Sequence, residues 1–209
     1  MIRLDFEESA PIAGFDADRF FRYISRKLDE DLDVVIISDY GKGVCTEENC
    51  RRMIESCHTY GVPIVVDPKG TNWTKYAYAD YITPNLKEIN QVLAEPIHNE
   101  DRAVEVAAHY VMNRFNIRNV IVTRSEEGLS LIRDDENVHI PTKAQEVFDV
   151  SGAGDTVIAV FAMGLAGGMS PADSAYMANL AASVVVAKLG TYAVSREELM
   201  AVLKGEAEK

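Results

Sequence analysis

The stretch Glu146-Val-Phe-Asp-Val-Ser-Gly-Ala-Gly-Asp155-Thr-Val-Ile-Ala-Val160 has the residue types and spacing for chemistry on an anion. A β-type segment runs into a small glycine-bearing turn, then an acid, then an apolar run rich in alanine. Gly152, Ala153 and Gly154 lack bulk, so their backbone N–H groups can approach a ligand closely. They fall where a helix would begin, with unpaired donors and the positive end of the helix dipole. That combination is an anion hole. Asp155 follows in the first turn, where the same dipole favours a carboxylate. The pair suits phosphoryl transfer: the donors stabilise charge on the moving group, and the carboxylate takes a proton from an attacking hydroxyl. The tetrapeptide alone is equally compatible with a tight turn carrying an N-terminal helix acid. Counting excludes two other phosphate motifs. A dinucleotide fingerprint needs a third glycine where Val157 stands, and no Gly-Lys-Ser/Thr tripeptide closes a Walker loop.

The elements that must hold this turn can be read from periodicity. Residues 1–7 alternate apolar and polar (Ile2, Leu4, Phe6), which predicts a strand with no nearby hairpin partner. Asp16 to Asp29 carries Phe20, Phe21, Ile24 and Leu28 at helical spacing, with Asp16 as cap. Asp33 to Tyr40 is a continuous apolar strand of the kind buried on both faces. It ends in Gly41-Lys-Gly43, and Thr46 caps a helix through His58. Val62 to Asp67 is a second buried strand, and Tyr81 to Thr83 a short third one. Helices follow over Leu86 to Leu93 and from about Glu100 to Arg114. Asn119 to Thr123 is a fourth strand. Leu129 to Ile132 and Val138 to Ile140 form a hairpin around Asp134-Asp-Glu-Asn137. The central turn enters a helix over Asp155 to Ala166. Ser170-Pro171 caps an alanine-rich helix through Leu189, and Ser195 with Glu198 forms a capping box for the last helix. The tail from Lys204 to Lys209 is expected to fray.

Repeated strand, turn and helix predicts a single α/β domain over residues 1–209: a three-layer, mostly parallel sheet flanked by helices. Ligands bind such sheets beyond the carboxyl ends of the strands. The polar and glycine residues cluster at those ends: Ser38 to Gly43, Asp67 to Gly70, Thr83 to Glu88, Thr123 to Gly128, and the central turn. Five clusters on one rim indicate a ligand site. Lys42 and Lys69 sit on that rim and are candidates to balance phosphate charge, a solvated loop lysine being the alternative for each. Asn85 and Glu88 taken alone are also what an ordinary helix cap with a first-turn acid would show.

Composition narrows the class. The chain has 209 residues, 47% hydrophobic and 26% charged, the profile of a globular protein with a sizeable core. The net charge of −12 and the lack of a lysine/arginine cluster argue against a nucleic-acid partner. The longest apolar stretch, Val157 to Leu165, is too short for a membrane partner, and the start has no signal-peptide shape. Cys45, Cys50 and Cys57 fit neither a zinc site nor a redox pair, so a reducing cytoplasm is the expected location. Cys50 and Cys57 should share one helix face. His58, His98, His109 and His139 are scattered and read as ordinary surface or core residues.

At this point the motifs resemble those of the PfkB, or ribokinase-like, carbohydrate kinases. Asp149-Val-Ser-Gly-Ala-Gly-Asp155 is similar to that family's C-terminal signature, and Asn85-Leu-Lys-Glu88 to its Asn-x-x-Glu motif. Ser38-Asp-Tyr-Gly-Lys-Gly43, Asp67-Pro-Lys-Gly70 and Val122-Thr-Arg-Ser-Glu-x-Gly128 resemble, in this order, the members that phosphorylate D-glycero-D-manno-heptose 7-phosphate on the route to ADP-heptose and lipopolysaccharide. The resemblance implies an ATP- and Mg²⁺-dependent kinase acting on a small sugar phosphate. Asp155 would be the general base, with Gly152, Ala153 and Gly154 as the anion hole. Asn85 and Glu88 would organise Mg²⁺ and its waters around the ATP phosphates. Thr123, Glu126 and Gly128 would line the nucleotide cleft, with Asn179 near the base. Beside these, the rim position of the two lysines makes Lys69 the candidate for the nucleotide phosphates and Lys42 the candidate for the substrate phosphate.

Two departures qualify the resemblance. Ser151 stands where that group usually has threonine, which leaves the N–H groups in place. The family also implies an N-terminal third that supplies sheet strands, sugar contacts and a small β lid, whereas residues 1–8 here resemble the last lid strand. The fold is thus expected as a ribokinase-like domain shortened at its front. The missing strands imply a homo-oligomer or a complementary N-terminal chain as partner. The rival expectation is a catalytically inactive nucleotide-binding remnant or subunit.

Overall fold

The computed structural model describes residues 9–144 and 146–207, so the strand expected over residues 1–7 lies outside the described residues. Four strands run parallel: β1 (Val35–Ser38), β2 (Ile64–Asp67), β3 (Tyr81–Ile82) and β4 (Val120–Thr123). An antiparallel hairpin, β5 (Leu129–Ile132) and β6 (Asn137–Ile140), closes the far side. The spatial order is β1-β2-β3-β4-β5-β6. This is the mostly parallel α/β sheet expected from the repeated strand–turn–helix pattern.

Alternation along the strands sorts the core into two layers. Ile64, Val66, Ile82, Val120 and Val122 face α1 (Gly14–Leu28), α2 (Glu47–Tyr60), α3 (Leu86–Val92) and α4 (Asp101–Phe115). Val65, Tyr81, Ile121, Leu129 and Leu131 face α5 (Ala153–Ala166), α6 (Pro171–Val186) and α7 (Arg196–Ala207). With helices on both sides, the central strands can be apolar at every position. Three layers result, as the sequence predicts.

The capping expectations divide. Thr46 accepts from the Asn49 N–H at 3.1 Å, and Ser170 accepts from the Asp173 N–H at 3.0 Å. Ser195 and Glu198 form their reciprocal box. Asp16, by contrast, is not a cap: α1 begins at Gly14 after Ala13, which makes no side-chain cap bond, and Asp16 sits in the first turn. There it meets the helix dipole instead. The helix after the central turn starts at Ala153, and α6 stops at Val186 rather than Leu189. The Val186 carbonyl instead accepts the Phe148 N–H at 2.8 Å, so the helix end docks the segment leading into the central turn. Helix α7 continues through Ala207, so the described part of the tail from Lys204 is helical.

The first strand also departs from expectation. Of Val35–Ser38 only Ile37 is buried, and Ile36 is 40% exposed. Among the described residues β1 is the outermost strand, with β2 on one side only. Burial on both faces needs flanking structure, and an edge has half of it. Among the described residues no helix is long and apolar enough to cross a membrane.

Helices α5 and α6 pack closely enough to exclude a side chain at Gly164. A Cβ there would lie 2.5 Å from Ser174 Oγ, 2.8 Å from its Cβ and 3.1 Å from its Cα, on a residue that is itself buried. Gly164→Val is therefore expected to cost about 1–3 kcal/mol through overpacking. Thermal denaturation should show the melting temperature falling by roughly 2–10 °C.

Candidate active site

All five rim clusters face one cavity of about 220 Å³ at the carboxyl ends of β1 to β4. Its lining includes Asp39 and Tyr40 after β1, Asp67, Pro68 and Lys69 after β2, Thr83, Asn85 and Glu88 after β3, and Thr123 from β4. Gly152, Gly154 and Asp155 close it from the start of α5. Parallel strands aligned in register deliver these groups together: Ser38 pairs with Asp67, and the bridge between Asn85 and Thr123 extends the β3–β4 contact to the rim.

The central turn forms as its glycines require. Gly152 precedes α5 at φ +82°, a left-handed conformation that a residue with a Cβ adopts only at a cost. Ser151 donates its N–H to Asp149 Oδ1 at 2.8 Å, and Gly190 donates to Asp149 Oδ2 at 3.2 Å. Asp149 thereby ties the turn to the loop that follows α6. The Ala153 N–H points back to the Val150 carbonyl at 3.2 Å, and Ala153 is not part of the cavity lining. Gly152 and Gly154 are, with Asp155 exposed beside them.

Asn85 and Glu88 make a reciprocal cap on α3. The Glu88 N–H donates to Asn85 Oδ1 at 2.9 Å, and the Asn85 N–H donates to Glu88 Oε2 at 3.0 Å. The ordinary-cap reading is thus correct as structure, and it fixes both side chains at the cavity rim. Glu88 Oε1 remains outside that cap. Asp67 lies close enough to feel its neighbours: burial first, then the charges of Glu88 and Asp155, push its carboxyl up to about 7, with Lys69 opposing. Excess negative charge of this kind is a site a cation would relieve. Among the described residues no three His, Cys, Asp or Glu groups form a ready-made cage. A magnesium ion fits such a donor set, since it keeps several waters and takes one or two carboxylates plus phosphate oxygens.

Other predicted residues lie beside the cavity rather than in its lining. Gly128 is at φ +83°, and a Cβ there would come within 2.2 Å of the Ile140 carbonyl oxygen. Asn179 donates to the Pro141 carbonyl at 2.9 Å, so both residues press on the same Ile140–Thr142 segment. Glu126 is exposed on the short 3₁₀ turn between β4 and β5, and Lys42 is exposed on the loop after β1. The turn holding Glu126 and Gly128 is braced by Arg124, whose buried guanidinium meets Asn99, Asp101 and Ser130 at 2.9, 2.5 and 2.9 Å.

The residue that sequence reasoning missed is Asp39. It is 4% exposed, and its carboxylate accepts from Gly41 N–H at 2.6 Å, Lys75 Nζ at 2.5 Å and Tyr76 Oη at 2.5 Å. The Tyr76 hydroxyl in turn accepts the Lys69 N–H at 3.1 Å, and the Asp39 N–H donates to the Asp67 carbonyl at 3.1 Å. One carboxylate therefore fixes the loops after both β1 and β2. Its available signal was an acid directly after a buried strand; its partners, 36 and 37 residues on, leave no pattern in the sequence.

The sequence profile of the pfkB family carbohydrate kinases matches residues 13–198. The chain belongs to this family. Two similar relatives are each named "Bifunctional protein HldE". The one from Syntrophotalea carbinolica is 42% identical over 95% of this PfkB chain and 40% of its own length. The one from Shewanella piezotolerans is 44% identical over 96% of the chain and 41% of its own. This PfkB chain thus spans about two-fifths of the length of the curated relatives it matches. Among solved structures, a ribokinase from Thermotoga maritima is 28% identical with a TM-score of 0.71, covering 86% of this chain and 59% of its own. The Arabidopsis thaliana ribokinase complexed with ribose and ATP has a TM-score of 0.75 at 20% identity, covering 93% and 60%. That likeness shows the same fold.

Asp39 carries a testable consequence. Burial raises its proton affinity, but hydrogen bonds from Lys75, Tyr76 and Gly41 outweigh it and hold the carboxyl below the usual range. A depressed folded value means the group stabilises above the unfolded carboxylate pKa and loses this as pH falls through the folded one. Asp39→Ala leaves Lys75 buried beside no counter-charge, at a cost of about 3–5 kcal/mol near neutral pH. Denaturant titrations should find that gap between wild type and variant holding down to a pH of about 4 and narrowing as the pH falls further.

Proposed function

We propose that this PfkB chain carries the phosphoryl-transfer half of an ATP-dependent sugar-phosphate kinase. The acceptor is a heptose 7-phosphate and the product its 1,7-bisphosphate. The observation that carries the reading is Asp155 beside the Gly152–Gly154 turn in a cavity shared with Glu88, Asn85 and Lys69. The name shared by the relatives and the order of the rim motifs support the choice of acceptor class.

In this reading Asp155 accepts the proton of the anomeric hydroxyl as its oxygen attacks the γ-phosphorus. Backbone N–H groups at Gly152 and Gly154 meet the charge that builds on the transferred group. Ala153 keeps the turn in shape through its bond to Val150. Asn85 and Glu88, held by their mutual cap, would hold Mg²⁺ through its waters, with Asp67 nearby. The ion, when bound, draws charge from the nucleotide phosphates. Lys69 neutralises the nucleotide phosphates, and Lys42 receives the phosphate already on the sugar. Thr123, Glu126, Gly128 and Asn179 form the nucleotide side. Positioning and charge stabilisation supply most of the catalysis, with Asp155 adding the proton transfer.

A second reading has its own observation. Among the described residues β1 has a partner on one side only and Ile36 is exposed, a strand edge of the kind proteins cover. A second copy, or a separate polypeptide supplying further strands and sugar contacts, is the proposed cover. Without it the chain binds nucleotide and does not phosphorylate sugar.

ADP release with Mg²⁺-ATP, with and without heptose 7-phosphate, separates the two readings. Sugar-dependent release should appear, and Asp155→Asn should lower it about 10²–10⁴-fold while ATP still binds. An unchanged rate in Asp155→Asn would sink the base assignment. Light scattering at micromolar concentration should report a mass above that of one chain, and a sharp monomer peak would count against homo-oligomerisation.

A further inference from the structure

We propose that Tyr40 is a positioning residue for Asp155. Its phenol donates to one carboxylate oxygen and leaves the other for the acceptor's proton. This rests on the reading of Asp155 as the base.

Three observations carry it. The Tyr40 hydroxyl lies 3.3 Å from Asp155 Oδ1, although the residues are 115 positions apart in the chain. The ring is 62% exposed at the cavity wall, so core packing does not explain a large aromatic residue there. The backbone beneath it is held on both sides. Asp39, directly before it, is locked by Lys75, Tyr76 and the Gly41 N–H. Gly43, three residues on, abuts the Ala10 carbonyl so closely that a Cβ would lie 2.1 Å from its oxygen, and the Gly43 carbonyl accepts the Ile12 N–H at 3.0 Å.

The chemistry explains why such a contact matters. Asp155 is exposed at the start of α5, and its terminal torsion is broad, so the carboxylate has no packed surface to fix its plane. A base is effective when a third group orients it. With Oδ1 occupied by the phenol, Oδ2 faces the attacking hydroxyl. The acceptor proton passes to Oδ2 as the acceptor oxygen–phosphorus bond forms and the bond to the ADP oxygen breaks. Tyr40 keeps its own proton throughout.

The test is Tyr40→Phe, which keeps the ring and removes only the hydroxyl. In protein labelled with ¹³C at aspartate carboxyls, the Asp155 resonance is identified by its loss in Asp155→Asn. At fixed neutral pH it should move in Tyr40→Phe while those of Asp149 and Asp173 stay. An unmoved Asp155 resonance would overturn the proposal whether or not the chain turns over sugar. Where sugar-dependent ADP release is measurable, kcat should fall roughly tenfold with KM for ATP unchanged, the scale of one lost hydrogen bond. An unchanged kcat overturns the positioning role. Wild-type turnover by Asp155→Asn locates the failure in the base assignment itself.

Discussion

The buried carboxylate of Asp39 is the constraint on which the site depends. A charge removed from water costs several kcal/mol unless its oxygens are occupied. Here they are, by a backbone N–H from the loop after β1 and by an ammonium and a phenol from adjacent residues of one 3₁₀ turn. That requirement links the loop after β1 to the loop after β2 and to the 3₁₀ turn holding Lys75 and Tyr76. Lys69 is placed through its own N–H on Tyr76, and Tyr40 by following Asp39 directly. The cavity keeps its shape because rearranging either loop would expose a buried ion pair.

The sheet supplies the other half of the geometry. Parallel strands end at one level, so acids and glycines placed after each strand meet without long connections. The antiparallel hairpin β5–β6 has a different part. It turns the chain back so that Ile140–Thr142 runs against Gly128, and Asn179 from α6 holds the Pro141 carbonyl. The residues proposed for the nucleotide side thus form a wall joined to the cavity at Thr123, one residue before the braced Arg124. Two kinds of strand pairing serve two parts of one site.

Local interactions were legible in the sequence and distant ones were not. Asn85 with Glu88 and Ser195 with Glu198 are capping boxes because three residues of spacing suffice to define them. The glycine-bearing turn before α5 is similarly local, and its glycines and acid can be read directly. Asp16 failed as a cap because first-turn acids and N-caps look alike in sequence, and only backbone dihedrals separate them. β1 failed as a doubly covered strand because an apolar run reports the hydrophobicity of a segment, while its exposure depends on which neighbour lies beside it. Asp39 was invisible as a hub for the same reason. Lysine and tyrosine 36 and 37 residues away become its partners only once a helix and a strand have folded between them.

The electrostatics of the cavity reconcile an acidic chain with an anionic ligand. A net charge of −12 would repel free nucleotide, and Asp67, Glu88 and Asp155 concentrate that charge at the rim. Asp67 registers the strain, with its carboxyl raised to near neutrality by burial and its neighbours. Yet the start of α5 offers N–H donors and the positive end of a dipole only a short distance away. The two features select opposite charges side by side. A bare anion meets repulsion from the carboxylates, and a bare cation gains nothing from the helix start. In the proposed reading a phosphate chain carrying a divalent cation would satisfy both at once, with the acids on the side of the cation and the turn on the side of the phosphate. The proposed preference for such a composite ligand rests on this charge arrangement and needs no large positive surface.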